Sequence, residues 1–235
     1  MKSSLKINRV GIILARGGSK GILNKNIQKL GGKPLVNWSI EFALKEKYFN
    51  EVIISTDSSK IKKIAKKFQD LKIHNRSKKN SNDMATSESA IREVVKNYKL
   101  ENSLLVLIEP TSPFRKKGLL KKMEQKLLKT KTDCCLCLKN FEKNPTNIFS
   151  KDKNSILCRI YNTNKTYFRR QEFTHIKTIS EGLYMFFPYI LSKFKKITDS
   201  KLTGINCNNT INVNIDNMMD LHFANYIIRK IKIVK

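Results

Sequence analysis

A glycine-rich segment with several basic side chains follows the first apolar run of the chain. Residues 12–15 are apolar, and the segment Arg16-Gly-Gly-Ser-Lys-Gly21 comes directly after them, with Lys25 close behind. Glycines let backbone N–H groups approach an anion closely, and the basic side chains supply positive charge around it. The segment is neither a Walker A loop nor a G-x-G-x-x-G motif. It favours a loop that holds a polyphosphate, and the alternative is a glycine-rich turn with solvated lysines.

Polar groups also follow two later apolar runs. Residues 51–57 end in Ser-Thr-Asp, and residues 103–108 are followed by Glu109-Pro-Thr-Ser-Pro-Phe-Arg115. Open α/β sheets bind ligands at the carboxyl ends of their strands, so both segments are candidates for one site. The two prolines indicate a rigid, irregular loop. The polar run 74–87 is long enough to predict a binding loop.

The elements that must position these groups alternate along the chain. Apolar runs rich in β-branched residues alternate with amphipathic stretches, which is typical of βαβ units and predicts an α/β fold with a mostly parallel sheet. The predicted strands are residues 10–15, 51–57, 103–108, 133–138, 182–190 and 211–215. The predicted helices are residues 34–44, 59–68, 88–98, 119–128 and 220–233.

The length of 235 residues fits a single domain, residues 1–235. The alternation breaks at residues 139–180, a polar and aromatic stretch without a helical or strand period. We expect this stretch to be an arm that contacts a partner.

Composition indicates the cellular compartment in which we expect the protein. The most apolar runs are far shorter than the roughly 20 residues of a membrane-spanning helix, and residues 1–9 lack the apolar region of a secretion signal. Five cysteines include Cys134, Cys135 and Cys137 in one apolar segment, which indicates core thiols in a reducing compartment. A metal site at Cys135 and Cys137 is the alternative, although further zinc ligands are not evident. We expect a cytoplasmic protein that does not insert into membranes.

The formal net charge of +28 raises the question of a nucleic-acid partner. The lysines are spread along the whole chain, so solvated helix faces are favoured over a nucleic-acid surface. A positive field of this kind would also attract a multiply anionic substrate.

The order of the motifs resembles the acylneuraminate cytidylyltransferases, the CMP-sialic acid synthetases. The matching segments are residues 15–26, 32–35, 53–57, 82–87, 110–115, 170–171, 182–184 and 214–216, together with Arg76 and Asp220. The resemblance implies a Rossmann-like three-layer α/β/α fold with a small dimerisation arm at residues 139–180. It also implies a reaction of CTP with a 2-keto sugar acid that gives the CMP-sugar and pyrophosphate. Relatives that activate Kdo usually open without Gly-Ser-Lys-Gly, so the chain is more similar to the nonulosonic-acid branch, and Kdo stays an alternative acceptor.

The resemblance also implies roles for particular residues. The triphosphate would be held by Arg16, Ser19, Lys20 and Lys25, the ribose side by Asn26, and the cytosine by Arg76, Ala85 and Ser87. Arg16, Lys25 and Asp216 would be catalytic, and Asp216 with Asn214 would bind Mg²⁺. Glu109, Arg170, Gln171 and Tyr184 would face the acceptor. Together with Arg76, Arg115 and Asp216, the first loop is interpreted as the triphosphate cradle of a CTP site in a homodimer.

Three positions depart from the family pattern. The usual Asp-x-Asp is Asn214-Ile-Asp216, Glu109 stands where a Gln is usual, and Glu181 where an Asn is common. Both glutamates would repel a sugar carboxylate unless a cation such as Arg170 intervenes. The departures favour a different nonulosonic acceptor, such as a legionaminic- or pseudaminic-type acid, and the alternative is an impaired nucleotide-binding homologue.

Overall fold

The structure is a computed structural model that describes residues 7–19, 21–161, 169–173, 175–208 and 211–233. For Arg170 and residues 231–233 it describes the backbone only. Strands and short helical elements alternate from the start of the described chain. The strands are β1 (Asn8–Leu14), β2 (Lys29–Leu30), β3 (Lys33–Pro34), β4 (Glu51–Thr56), β5 (Leu71–Asn75), β6 (Ser103–Ile108), β7 (Cys134–Asn140), β8 (Phe149–Lys151), β9 (Leu157–Arg159), β10 (Lys177–Phe186) and β11 (Leu202–Asn206). The helices are α1 (Leu35–Lys45), α2 (Ser59–Ala65), α3 (Ser87–Tyr98), α4 (Leu119–Thr130), α5 (Ile190–Lys193) and α6 (Met218–Ile233).

A seven-stranded sheet forms the centre of the protein, in the order β11-β7-β10-β6-β1-β4-β5. β1 pairs in parallel with β4 and β6, β4 with β5, and β11 with β7. β10 runs antiparallel between β6 and β7. The predicted α/β fold with a mostly parallel sheet is therefore confirmed.

Helices cover both faces of the sheet. Ile13 faces the layer that contains α1, α2 and α4, whereas its neighbour Ile12 faces α3 and α5. Both side chains are fully buried, because a parallel strand between two helical layers presents neither face to water. This arrangement explains why β1 is a continuous apolar run, and it gives the three predicted layers.

Two edge strands escaped prediction, and one predicted strand is wrong. β5 and β11 lie at the edges of the sheet, where one side lacks a neighbour, and their sequences mix apolar with polar or glycine residues. Residues 211–215 alternate as a strand would, with Val213 and Ile215 buried. Among the described residues, however, this segment belongs to no ladder, and the Ile215 N–H instead donates to the Thr111 carbonyl at 2.8 Å.

The predicted arm contains the antiparallel hairpin of β8 and β9. The ends of the predicted range belong to the central sheet, since β7 extends to Asn140 and β10 begins at Lys177. Every residue of the two hairpin strands is exposed, and Leu157 is 63% exposed. The hairpin therefore presents apolar side chains to solvent.

The cysteines are free thiols, and the three in β7 are buried, as their apolar context predicts. In the part of the chain that the structure describes, no helix is long and apolar enough to cross a membrane.

Candidate active site

A cleft of about 460 Å³ opens at the carboxyl edge of the sheet. Its walls come from the ends of β1 and β6, the glycine-rich loop, the segment after β5 and the start of α3. Nine predicted site residues line it, namely Arg16, Ser19, Lys25, Asn26, Arg76, Ala85, Ser87, Glu109 and Asp216. The other wall residues are Leu14, Gly21, Asn80, Thr86, Leu107, Pro110 and Thr111. Lys20, a further predicted phosphate ligand, lies outside the described residues.

Two hydrogen bonds hold the start of the glycine-rich loop. The Gly17 N–H donates to Asp57 Oδ1 at 2.9 Å, and Asn26 Nδ2 donates to the Arg16 carbonyl at 3.0 Å. Asn26 is 7% exposed, so its amide is mainly part of the loop's support. The backbone at Arg16 and Gly17 is therefore held by hydrogen bonds within the protein.

Arg16 reaches across the cleft to the loop that precedes α3. Its Nη1 donates to Asp83 Oδ1 at 3.0 Å and to the Asn82 carbonyl at 3.1 Å. The Arg16 and Asp83 side chains are 32% and 49% exposed, and ion pairs with this much solvent contribute little stability. The guanidinium can thus exchange this carboxylate for a phosphate at small cost.

Lys25 and Asp216 join the glycine-rich loop to the segment before α6. Lys25 Nζ donates to Asp216 Oδ1 and to the Ile215 carbonyl, both at 3.0 Å. Asn214 Nδ2 donates to the other carboxylate oxygen of Asp216. Asp220 Oδ2 accepts the Asp216 N–H at 2.9 Å and so holds its backbone. The Asp216 side chain is 61% exposed and faces the cleft from a fixed position.

The donor set can be compared with the requirements of Mg²⁺. No group of three His, Cys, Asp or Glu side chains that could hold a metal occurs in the described residues. Mg²⁺ commonly takes one or two carboxylates and completes its shell with phosphates and water. Asp216 and Glu109 line the same cleft and are hard oxygen donors of this type. The residues therefore fit a Mg²⁺ ion that arrives with a phosphate ligand, and they do not form a complete protein cage.

Arg76 lies at the opposite wall and is 9% exposed. Its Nη2 donates to the Ser55 carbonyl at 2.8 Å and its Nε to Ser55 Oγ at 3.1 Å. Burial lowers the pKa of the guanidinium, and the nearby negative charge of Asp57 opposes that shift. Neither hydrogen bond uses Nη1, so a nitrogen remains for a ligand in the cleft that Arg76 lines.

Ala85 and Ser87 lie where α3 begins. Thr86 is the N-cap residue, and its Oγ1 accepts the Ser89 N–H at 3.1 Å. Because backbone N–H groups and the positive end of the helix dipole meet at this end, it favours an electronegative ligand. Ala85, Thr86 and Ser87 all line the cleft, which brings the predicted base-contacting residues together with Arg76.

The expected place of Arg115 in the triphosphate cradle is corrected by the structure. Its half-buried side chain does not line the cleft, and it donates to the Glu109 carbonyl, the Glu181 carbonyl (2.8 Å) and Ser39 Oγ (3.1 Å). Burial lowers the pKa of Arg115 to about 10, against the opposing effect of the Glu181 and Glu109 charges. Arg115 is therefore a charged support of the loop after β6, positioned by the strand that ends at Ile108.

Glu181 is also placed differently from the expectation that it faces the acceptor. It is 1% exposed, it does not line the cleft, and its charge raises the pKa of Arg115. Glu109 does line the cleft. Burial and then Asp216 raise the pKa of Glu109, while Arg115 and Lys25 oppose this shift. Arg115 is thus a cation beside Glu109, and the side chain of Arg170 lies outside the described residues.

The remaining acceptor residues are not gathered in this cleft. Tyr184 lies in β10, paired with Leu107 on one side and Leu136 on the other, and burial raises the pKa of its phenol. Gln171 is exposed in the turn Arg170–Phe173. Within the described residues, Glu109 is the one predicted acceptor residue that lines the cleft.

The fold and the site define a class: an α/β protein with helices on both faces of its sheet and a cleft at the carboxyl edge that is lined by a glycine-rich loop, basic side chains and carboxylates. The chain belongs to the cytidylyltransferase family, whose model matches residues 10–225.

Three relatives show the range of the family. The chain is 43% identical to N-acylneuraminate cytidylyltransferase A of Danio rerio over 102 residues, which cover 43% of this chain and 23% of that protein. It is 33% identical to the pseudaminic acid cytidylyltransferase of Campylobacter jejuni serotype O:23/36 over 134 residues, covering 56% and 58% of the two chains. It is 39% identical to the N-acylneuraminate cytidylyltransferase of Escherichia coli O18:K1:H7 over 107 residues, covering 45% and 25%. The matched segments thus span less than two thirds of each relative.

Solved structures agree on the fold. A 4-diphosphocytidyl-2C-methyl-D-erythritol synthase from Anaerococcus prevotii matches with a TM-score of 0.68 and 16% identity, covering 95% of this chain and 99% of that one. A CMP:2-keto-3-deoxy-manno-octonic acid synthetase complexed with CTP matches with a TM-score of 0.67 and 16% identity over the same shares. At these identities the likeness concerns the fold alone.

Proposed function

We propose that this protein joins CMP from CTP to the anomeric hydroxyl of a nonulosonic, sialic-acid-like sugar acid and releases pyrophosphate, in surface glycan biosynthesis. The observation that carries the proposal is one cleft that combines the fixed glycine-rich loop, the Lys25–Asp216 pair and buried Arg76. The names of the relatives, which include sialic and pseudaminic acid cytidylyltransferases, support the same reaction.

The residues suit the charge changes of this reaction. The acceptor oxygen forms a bond to the α-phosphorus, and the bond from that phosphorus to the bridging oxygen breaks, so negative charge grows on the departing pyrophosphate. Fixed cations and N–H donors stabilise such charge. Arg16 and Lys25 supply the cations, and Ser19 adds a hydroxyl donor to the same cleft.

We propose Mg²⁺ as the metal of this site, with Asp216 as its main protein ligand and Asn214 beside it. Bound there with CTP, Mg²⁺ would neutralise charge on the phosphate oxygens and orient them. Asn214 offers an amide oxygen without charge, so binding of the metal depends more strongly on the phosphates than it would with two aspartates.

The acceptor that we favour is a legionaminic- or pseudaminic-type acid, with Kdo as the second candidate. Glu109 lines the cleft where a neutral amide is usual in the family. A carboxylate there accepts hydrogen bonds from hydroxyl and amide N–H groups and repels a second carboxylate. An acceptor that turns its donors toward Glu109 and its own carboxylate away satisfies both requirements.

An acceptor panel tests the proposed reaction. The protein is incubated with CTP, Mg²⁺ and sialic, legionaminic, pseudaminic or Kdo acid, and released pyrophosphate is measured. We expect release with at least one nonulosonic acid and none with CTP alone. A folded protein that binds CTP but is inactive with all four acids would contradict the proposal.

Asn214 supports a second candidate, a nucleotide-binding homologue with impaired turnover. The variant Asn214→Asp separates the two. A slow natural enzyme gains rate strongly at limiting Mg²⁺ when the second carboxylate is restored, whereas an enzyme adapted to Asn214 gains little. The matched control is Asn208→Asp, an exposed substitution of the same kind near the end of β11.

We further propose a homodimer that forms through residues 139–180, with Arg170 and Gln171 directed toward the partner's acceptor. The exposed apolar side chains of β8 and β9 support this arm.

We place the reaction in the cytoplasm, in keeping with five free thiols and with CTP as co-substrate. The +28 charge is assigned to attraction of anionic substrates, and no nucleic-acid or membrane partner is proposed.

A further inference from the structure

We propose that Ser55 and His74 are positioning residues that hold Arg76 in its nucleotide-binding orientation, and that this support fails when His74 takes up a proton. The inference rests on the proposed use of CTP, because it concerns the arginine that lines the base side of the cleft. Neither Ser55 nor His74 lines the cleft itself, so both act through Arg76.

The three side chains form a continuous buried chain of hydrogen bonds. Arg76 Nε lies 3.1 Å from Ser55 Oγ, and Ser55 Oγ lies 3.0 Å from His74 Nδ1. Ser55 is fully buried, and His74 is 3% exposed. On the far side of the imidazole, Nε2 lies 2.9 Å from Asn97 Nδ2 and 3.7 Å from Glu93 Oε1.

Hydrogen-bond chemistry fixes the direction of this chain from the arginine end. A guanidinium can only donate, so Ser55 Oγ accepts from Arg76 Nε and has its own hydrogen left to give. His74 Nδ1 is 3.0 Å away, and we infer that it accepts that hydrogen. In this arrangement the proton of neutral His74 sits on Nε2, 3.7 Å from the carboxylate of Glu93. The amide of Asn97 is then turned so that its oxygen, and not the nitrogen placed 2.9 Å away, faces that proton.

A second proton on His74 would break this order. Nδ1 would become a donor aimed at an oxygen that already accepts from Arg76, and the Ser55 hydrogen would lose its acceptor. The charged and titratable groups around the imidazole are Glu93 and Tyr98 from α3 and Arg76 beyond the end of β5. Burial lowers the pKa of His74 from its ordinary 6.5, Glu93 opposes this, and Arg76 adds to it. The neutral form is thus favoured at neutral pH, and acid reverses it.

The serine is tested with a matched pair of buried serines. In Ser55→Ala, Arg76 Nε loses its acceptor, and we expect the Kd and KM for CTP to rise about tenfold while kcat changes much less. Ser103→Ala is the control. Ser103 is 3% exposed in the same sheet, and its hydroxyl oxygen accepts from Asn8 at 2.9 Å, away from Ser55, His74 and Arg76. Titration calorimetry with CTP alone gives the Kd, and initial rates give KM and kcat.

The histidine is tested through the pH dependence. Asn places an amide oxygen near the former Nδ1 position and does not titrate, so His74→Asn should keep the neutral-pH Kd for CTP within about threefold. In wild type the Kd should rise steeply as pH falls below the histidine range, and His74→Asn should show only the shallower rise that protonation of CTP itself causes in both proteins.

The outcomes separate the inference from the proposed function. Wild type that binds no CTP overturns the function. If wild type binds CTP but Ser55→Ala and Ser103→Ala have equal Kd values for CTP, the proposed role of Ser55 is wrong. Identical acid profiles for wild type and His74→Asn overturn the role of the histidine proton.

Discussion

At the scale of single residues, Gly21 fixes the distance between the glycine-rich loop and the Asp216 segment. A Cβ at Gly21 would lie 2.3 Å from the Asp216 carbonyl oxygen, far inside contact distance. The two segments can approach this closely only because one of them lacks a side chain, and the Lys25–Asp216 hydrogen bond depends on that approach.

Gly21→Ala should therefore reduce kcat/KM for CTP about 100-fold, because a shift of about 1 Å in a catalytic group can cost that much. Gly18→Ala is the control, since its Cβ meets no protein atom within 4 Å and Gly18 does not line the cleft. Initial rates at saturating acceptor measure both. Equal losses in the two variants would show that loop flexibility, and not the Asp216 contact, limits activity.

The sequence revealed most of the side chains that line the cleft. It did not reveal which way Glu109 and Glu181, the two glutamates that depart from the family pattern, are directed. Arg16 follows the predicted first strand, and such positions converge on one edge in a parallel sheet. The roles of Lys25 and Arg76 came from the family resemblance, because Lys25 lies well beyond β1 and Arg76 follows β5, a strand that the sequence did not reveal. Arg115 follows a strand end too, yet it turns below the cleft, because the carbonyls of Glu109 and Glu181 and the Ser39 hydroxyl accept its hydrogens. Those partners come from three distant segments, and no local pattern of residues reports them.

At the scale of elements, β10 contains an irregularity where it passes the site. The register against β7 shifts between Ile179 and Tyr184, and both Glu181 (φ 58°) and Gly182 (φ 53°) are left-handed. A Cβ at Gly182 would lie 2.9 Å from the Cβ of Glu109. The irregularity thus brings the β10 backbone against Glu109, which lines the cleft.

Gly182→Ala should destabilise the protein by about 3 kcal/mol, which combines the strain of a left-handed alanine with overpacking against Glu109. Gly118→Ala is matched to it, with φ 78° and no atom within 4 Å of its Cβ, and should cost only about 1 kcal/mol. Urea denaturation measures both variants. Equal costs would mean that Glu109 moves aside freely.

The helices and buried strands were predictable, whereas the sheet edges were not. β1, β4 and β6 are buried on both faces and consist mainly of apolar residues, so the sequence pattern alone predicts them as strands. The edge strands β5 and β11 form hydrogen-bonded ladders with β4 and β7, respectively. Their own composition favours strands only weakly, as the sequences Leu71-Lys-Ile-His-Asn75 and Leu202-Thr-Gly-Ile-Asn206 show. Residues 211–215 show the converse, since a strand-like alternation buries Val213 and Ile215 without a ladder partner among the described residues.

At the scale of the whole molecule, the proposed dimer can be tested on two exposed leucines. Leu157→Asp changes the β8–β9 hairpin, where the leucine is 63% exposed, and Leu128→Asp changes α4, where it is 49% exposed. Burial of a leucine in an interface contributes about 1.5–3 kcal/mol, so Leu157→Asp should weaken self-association at least about tenfold. Leu128→Asp should leave it unchanged. Sedimentation equilibrium measures both, and a dimer that survives Leu157→Asp unaltered would place the interface elsewhere.

The hydrogen-bonded guanidinium of Arg115 has a consequence for any effort to engineer the acceptor range. It clamps the main chains of residues 109 and 181 with directed hydrogen bonds that the single ammonium of a lysine cannot reproduce, so even Arg115→Lys is a drastic change. The loop after β6 is consequently held in one conformation, and substitutions that change its backbone are a poor way to alter the acceptor range. A library that varies the side chain at position 109 and leaves the clamp intact explores new acceptors on an unchanged scaffold.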